Sequence, residues 1–333
     1  MSHKSPLKRL GAAFKYALLL AVAAVLLYAS FRGVVWEDFK AAILTTDFRW
    51  ISLSMFAGIV AFWIRALRWR LIMLPLGYKV KRRDAWDGIN IGYLTNFAIP
   101  RAGELARCGV ITKSSGIPFE KVAGTVVLER STDLLSLAII SLSVVLLEWR
   151  KFGNFISREI ITAIENRFDS GFFWITGAFL LSFAVFLYIV YRLRKRHKFF
   201  RKISDIVKGV FAGVASGFSM PRKWLFFLYT LLIWTLYWLM SYTTILAFPA
   251  VGGLTPVDAL FLMIVGGFGW VVPVQGGIGA YHFIISLALA SVYSVGQTTG
   301  IAFAAISHES QAVTMIVCGG ISFITLSLSK RKG

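Results

Sequence analysis

Long apolar runs alternate along this chain with short polar stretches, at a spacing set by a lipid bilayer rather than by a soluble core. One run ends near Phe31, and others cover residues 50–74, 122–147, 171–191, 224–248 and 299–328. Each is close to the ~20 residues that a helix needs to cross the hydrocarbon. They predict six full spans. Two further apolar stretches are broken midway. Residues 84–98 and 101–112 flank Pro100, and residues 257–271 and 278–292 flank Pro273. Each arm is too short to span, so each pair predicts a re-entrant helical hairpin. Irregular backbone at membrane depth must be buried in protein or line a wet cavity, so both tips belong in the interior.

The two breaks resemble each other, since Pro-x-x-Gly stands at both (Pro100 to Gly103, Pro273 to Gly276). Span, span, hairpin, span is followed by span, span, hairpin, span. With the first half starting inside and the second outside, the halves form inverted-topology repeats, an arrangement that puts a transporter's site where the tips meet. The expected fold class is an all-α polytopic membrane protein, a single domain over residues 1–333. Within it, residues 1–150 form the first repeat, 151–198 the fourth span and a basic loop, 199–219 an interfacial helix, and 220–333 the rest of the second repeat. The interfacial segment carries Phe199, Phe200, Ile203, Ile206, Val207, Val210 and Phe211 on one face and Arg201, Lys202, Asp205 and Lys208 on the other. That pattern suits a helix lying on the inner leaflet.

Composition agrees. The chain is 57% hydrophobic and only 16% charged, with a mean hydropathy of +0.70. Its formal charge of +20 is gathered at the ends of apolar runs, as the positive-inside rule requires, so nucleic acid is excluded as a partner. Lys79, Lys81, Arg82 and Arg83, the basic group from Arg192 to Lys202, and Lys330 to Lys332 mark the cytoplasmic side. Both termini are therefore expected on the cytoplasmic side. The first apolar run is long for a signal peptide and is read as a span. Cys108 and Cys318 have no metal-ligand spacing and are read as packing residues.

Ionisable groups inside a membrane cost about 2.5–3.5 kcal/mol at the centre of a helix, so they tend to be paired, interior and functional. Arg101, Glu104 and Arg107 recur every three residues at the start of a half-helix, close behind Asn96. Glu129, Arg130 and Asp133 form a mixed-sign group on the next span. In the other half Gln275 sits at the hairpin tip, Tyr281 and His282 soon after it, and His308 and Glu309 on the last span. Arginine suits a lipid phosphate through its planar bidentate fork. The glycine-rich second tip offers backbone N–H groups at a helix start, where an anion is favoured. His308 and Glu309 are candidates for proton coupling. Interhelical salt bridges are the structural alternative for Glu104, Glu129 and Asp133. Arg65 and Arg68 share a helical face near the interface. They either meet one anionic group or, as the preferred reading, snorkel to the headgroups. No nucleophile–base pair, nucleotide loop or metal cluster is legible, so no cofactor is expected.

Three segments together resemble the flippase domain of lysylphosphatidylglycerol synthases, a family that includes stand-alone membrane proteins. They are Asn96 to Arg107, Leu128-Glu129-Arg130 through Asp133, and Gly276 to Tyr281. The resemblance implies a lipid translocase fold across essentially the whole chain, with Arg101, Glu104, Arg107, Glu129, Arg130 and Asp133 at motif positions. Bifunctional relatives add a soluble domain that transfers lysine to phosphatidylglycerol. The chain ends just past its last span, so that activity is not expected here. His282 stands where many relatives are expected to carry an acidic residue, which argues against a cationic headgroup. The expected substrate is a phosphate-bearing lipid: a phospholipid, anionic or aminoacylated, or a polyprenyl phosphate. The rival readings are an enzyme acting on lipid phosphates and a non-transporting, lipid-binding partner of an envelope synthase. A homo-oligomer is left open.

Overall fold

The computed structural model describes residues 21–155, 181–182, 185, 188, 192, 198–272 and 274–329. Among these residues the secondary structure is helical, with no strand. In chain order the helices are α1 (Ala21–Phe31), α2 (Trp36–Leu44), α3 (Phe48–Met73), α4 (Arg82–Ala98), α5 (Gly103–Ser115), α6 (Phe119–Leu147), α7 (Trp149–Phe155), α8 (Lys198–Ala215), α9 (Lys223–Ala247), α10 (Pro256–Val271), α11 (Ala280–Tyr293) and α12 (Gln297–Ser329). The protein is a multi-pass, all-α membrane protein.

Five described segments are long and apolar enough to cross a membrane: Phe48–Leu76, Phe119–Leu147, Lys223–Ala247, Gln275–Tyr293 and Gln297–Leu328. Four of them match expected spans to within about three residues. The other, Gln275–Tyr293, reaches that length by joining a short 3-10 turn, Gln275–Gly277, to the 14 residues of α11. The expected fourth span lies mostly outside the described residues, as do Pro273 and the start of the first span. Both expected breaks are present, between α4 and α5 and between α10 and α11. Two short helices were not foreseen. α2 and α7 lie in connections between the apolar runs, and each is shorter than the window over which a 3.6-residue period becomes readable.

The described residues fall into two compact units. The first comprises the described parts of Met1–Arg68, Arg82–Val110 and Trp224–Gly333. Both broken helix pairs are here, each drawn together by glycine. A Cβ on Gly103 would run into the Gly92 carbonyl, which brings the backbones of α4 and α5 together. A Cβ on Gly269 would lie 2.7 Å from Tyr281 Cα, and one on Gly266 2.8 Å from the Tyr281 ring. Small residues let helices in a membrane approach closely enough for van der Waals packing, which replaces the hydrophobic drive absent in lipid. At the base of the second pair Thr255 and Asp258 form a capping box at the start of α10. The Tyr293 hydroxyl, at the end of α11, donates to Asp258 Oδ1 at 2.9 Å. α12 packs against α4, where Gly319 meets Leu94 and the Asn90 carbonyl.

The second unit comprises the described parts of Trp69–Lys81 and Ile111–Lys223. Its centre is the crossing of α6 and α8. A Cβ on Gly124 would strike the Val210 carbonyl, and one on Gly213 the Lys121 carbonyl. Trp69 Nε1 donates to Thr125 Oγ1 at 2.9 Å, and the Ser216 hydroxyl to the Ile72 carbonyl at 2.9 Å. α8 is the segment read as an interfacial amphipathic helix. Its glycines lie flush against α6, so part of its surface is taken by protein.

Candidate functional site

Both breaks are shaped by backbone that ordinary residues rarely adopt. Arg101, at the first tip, has φ +63° and is exposed. α5 starts two residues later, and its first N–H is satisfied by a side chain. Gly103 N–H donates to Asn96 Oδ1 at 2.7 Å. Asn96 is therefore held by the scaffold as a cap on α5, filling one of the orphan donors of a helix start. Glu104 follows in the first turn of α5, half-buried, where a carboxylate complements the helix dipole. Arg107, one turn on, is 3% exposed, and its side chain lies against Gly92 of α4.

Gly276 at the second tip has φ +57°, and a Cβ there would stand 2.7 Å from the ring of Phe97. The end of α4 thus abuts the 3-10 turn of the second break, and the two tips meet. Gln275 is half-buried at the start of that turn. The helix start at α11 is covered rather than open. Its cap residue Gly279 is packed on α1, a Cβ there lying 2.9 Å from the Ala23 carbonyl, and Ala23, Val274 and Ala280 form an apolar cluster. The N–H groups read as an anion site are therefore faced by apolar helix.

Behind the second tip lies a polar cluster. Tyr281 shares a 2.8 Å hydrogen bond with the Ser307 hydroxyl. His308 is fully buried and His282 is 3% exposed, their rings 5.0 Å apart. His308 Nε2 is 2.8 Å from the Gly276 carbonyl, and its Nδ1 is 3.0 Å from Glu309 Oε1. His282 Nε2 faces the same Glu309 oxygen at 3.8 Å. Trp270 stacks on His308, with centroids 4.8 Å apart and planes 21° from parallel. Tyr281, His282, His308 and Glu309 are thus brought together, whereas Gln275 is tied to them only as the residue before the Gly276 carbonyl. Trp270, Ser307 and Phe97 were not foreseen, because an aromatic or hydroxyl residue in an apolar run carries no signal until its neighbours are known.

Arg65 and Arg68 do not snorkel. They are 6% and 0% exposed and face into the first unit. Arg65 Nη1 donates to the Tyr237 hydroxyl at 3.0 Å and lies over the Tyr93 ring at 5.9 Å. Arg68 Nη1 donates to Thr230 Oγ1 at 3.3 Å and lies over Phe226 at 5.8 Å. The helical position that brings both near the interface also turns them toward α4 and α9, where ring faces and hydroxyls replace water. Tyr93, under Arg65, adjoins Gly92, against which Arg107 rests, so α4 carries two buried guanidinium groups at neighbouring positions.

Glu129, Arg130 and Asp133 belong to the second unit. Glu129 is fully buried on α6, whereas Arg130 and Asp133 form an outer pair at 3.8 Å.

The family described as lysylphosphatidylglycerol synthase TM region matches residues 16–319. The chain is also similar to a protein named glycosyltransferase AglD from Haloferax volcanii, with 24% identity over 303 residues. That match covers 81% of this chain but 48% of the relative, so the chain spans about half that protein's length. No solved structure matches.

Proposed function

The chain belongs to the lysylphosphatidylglycerol synthase transmembrane-region family, and we propose that it is a flippase-like transporter of a phosphate-bearing lipid. The lipid is a phospholipid or a polyprenyl phosphate, and the membrane a bacterial inner membrane. In this reading each broken helix pair is a re-entrant hairpin and the two halves are inverted repeats. The headgroup passes through the polar interior while its tails stay in the bilayer.

The observation that carries the proposal is the burial of Arg65, Arg68 and Arg107 in the unit where the two tips meet. Desolvated guanidinium groups offer a phosphate charge-assisted, bidentate hydrogen bonds, about twice as strong as neutral ones. Their burial in a membrane protein carries a cost that a function offsets.

A second reading has one specific support, the glycosyltransferase name of the relative. In it the chain acts on, or holds, a lipid phosphate for an envelope synthase without moving it across the bilayer.

Leaflet exchange in proteoliposomes separates the two. Fluorescent phospholipids and polyprenyl phosphates are assayed with the wild type and with Arg107→Ala, Glu104→Gln and Glu129→Gln. Selective exchange lost in the folded variants supports transport. No exchange of any lipid, with turnover or tight lipid binding in detergent, overturns it.

A further inference from the structure

His308 is placed so that its tautomer can be read from its partners. The Gly276 carbonyl can only accept, so Nε2, 2.8 Å away, carries a hydrogen and donates it. In a neutral imidazole that leaves the Nδ1 lone pair free, and Nδ1 is 3.0 Å from Glu309 Oε1. Two acceptors thus face each other at hydrogen-bond distance, which requires a cation between them. A single proton would serve these two atoms and leave His282 without a part. Yet His282 is buried, its Nδ1 has no hydrogen-bond partner, and its Nε2 faces the same carboxylate oxygen from 3.8 Å, beyond hydrogen-bond range.

We propose that His282, His308 and Glu309 bind a divalent transition-metal ion of the zinc class, through His282 Nε2, His308 Nδ1 and a Glu309 oxygen. The three donor atoms lie within 4.8 Å of one another. With metal–ligand bonds of about 2.0–2.2 Å, tetrahedral donors stand roughly 3.3–3.5 Å apart, so the widest separation must close by an ångström or more. That gap lies between His282 Nε2 and His308 Nδ1, since the Glu309 oxygen is only 3.8 and 3.0 Å from them, and it closes by a turn of the His282 ring, whose Nδ1 holds no hydrogen-bond partner. Glu309, whose side chain is 59% exposed, is free to follow. His308 is held by the Gly276 carbonyl on its far nitrogen and by the Trp270 ring on its face, and such a second hydrogen bond fixes the tautomer and raises the basicity of a metal-ligating histidine. Two imidazoles and one carboxylate suit zinc and its neighbours rather than calcium or magnesium, which prefer oxygen. Three protein ligands also leave the ion an open position for an anionic oxygen. The site stands on its own geometry and does not depend on the transport reading.

The chain has four histidines, so His3→Gln and His197→Gln leave only the two in question. That tag-free protein, purified in detergent, is titrated with Co2+ and followed by visible d–d absorption, then with Zn2+ and followed by imidazole 15N signals. One equivalent of Co2+ is expected, with intense four- or five-coordinate bands, and Zn2+ should shift both histidines. Glu309→Gln and His282→Gln should each weaken binding at least tenfold. Absent Co2+ bands with a proton shared by His308 and Glu309 would overturn the site, as would affinities unchanged in folded variants. Should a variant fail to fold, the Zn2+-induced signals of the two histidines still decide.

Discussion

The ring of Phe97 lies so close to Gly276 that a Cβ on that glycine would stand 2.7 Å from Cε1 and 2.9 Å from Cδ1. Two helix breaks from opposite halves of the chain therefore share one contact, and the carbonyl of the same glycine accepts from His308. Gly276 is thus held both by its left-handed φ of +57° and by the lack of a side chain. Gly276→Ala should cost about 1–2 kcal/mol for the φ alone, before the clash is counted. In a detergent thermal melt that is a fall of about 2–8 °C. Phe97→Leu in the same chain should recover the steric part and not the backbone part. A Gly276→Ala protein that melts with the wild type would mean that the tips do not meet in this way.

Arg101 offers the opposite experiment. It occupies left-handed backbone, φ +63°, at an exposed tip, where glycine carries no steric penalty. Arg101→Gly should leave the melting temperature unchanged or raise it by a few degrees, since about 1 kcal/mol of backbone strain is relieved. If the guanidinium meets the lipid phosphate as it enters, exchange of phosphate lipids should fall in this stable variant. Stability and exchange both unchanged would remove Arg101 from the site.

Asn96 joins α4 to α5 through the 2.7 Å bond from Gly103 N–H. Loss of such a cap costs about 0.5–2 kcal/mol. Asn96→Ala should lower stability by that amount, and Asn96→Asp, which keeps the accepting oxygen, should retain most of it. A contact with substrate alone predicts the reverse, an unchanged melt and lost exchange. The melting temperatures of the two variants distinguish these directly.

How far the sequence specifies the molecule differs from element to element. The ends of α3, α6, α9 and α12 are legible because lipid demands about 20 apolar residues and the charges bracket them. The two breaks are legible because Pro100 and Pro273 each interrupt an apolar run, and proline lacks the N–H that a helix interior needs. Neighbours across helices are not. Nothing in the local pattern turns Arg65 and Arg68 inward, sets Trp270 on His308, or places Asn96 as a cap. The interfacial reading of α8 rests on its amphipathic period and omits its glycines, of which Gly209 meets Glu120 and Gly213 meets Gly124 of α6. Replacing Gly124 with leucine should separate α6 from α8, read as faster hydrogen exchange over residues 198–215. Unchanged protection there would mean that lipid, and not α6, holds that helix.

Arg68 tests the phosphate reading against a merely electrostatic one. It is fully buried, donates to Thr230 and lies over Phe226. Lysine keeps the charge but loses the planar fork and the stacking surface. Each lost hydrogen bond to a charged group is worth about 1.5–3 kcal/mol, and 1.4 kcal/mol is tenfold in an equilibrium constant. Arg68→Lys should therefore reduce phosphate-lipid exchange or binding by at least about tenfold while the protein stays folded. Arg68→Met should abolish it and also lower stability by removing the bond to Thr230, whose hydroxyl keeps only its own donation to the Phe226 carbonyl. If Arg68→Lys exchanges lipid at the wild-type rate, Arg68 supplies only field, and the bidentate role passes to Arg65 or Arg107.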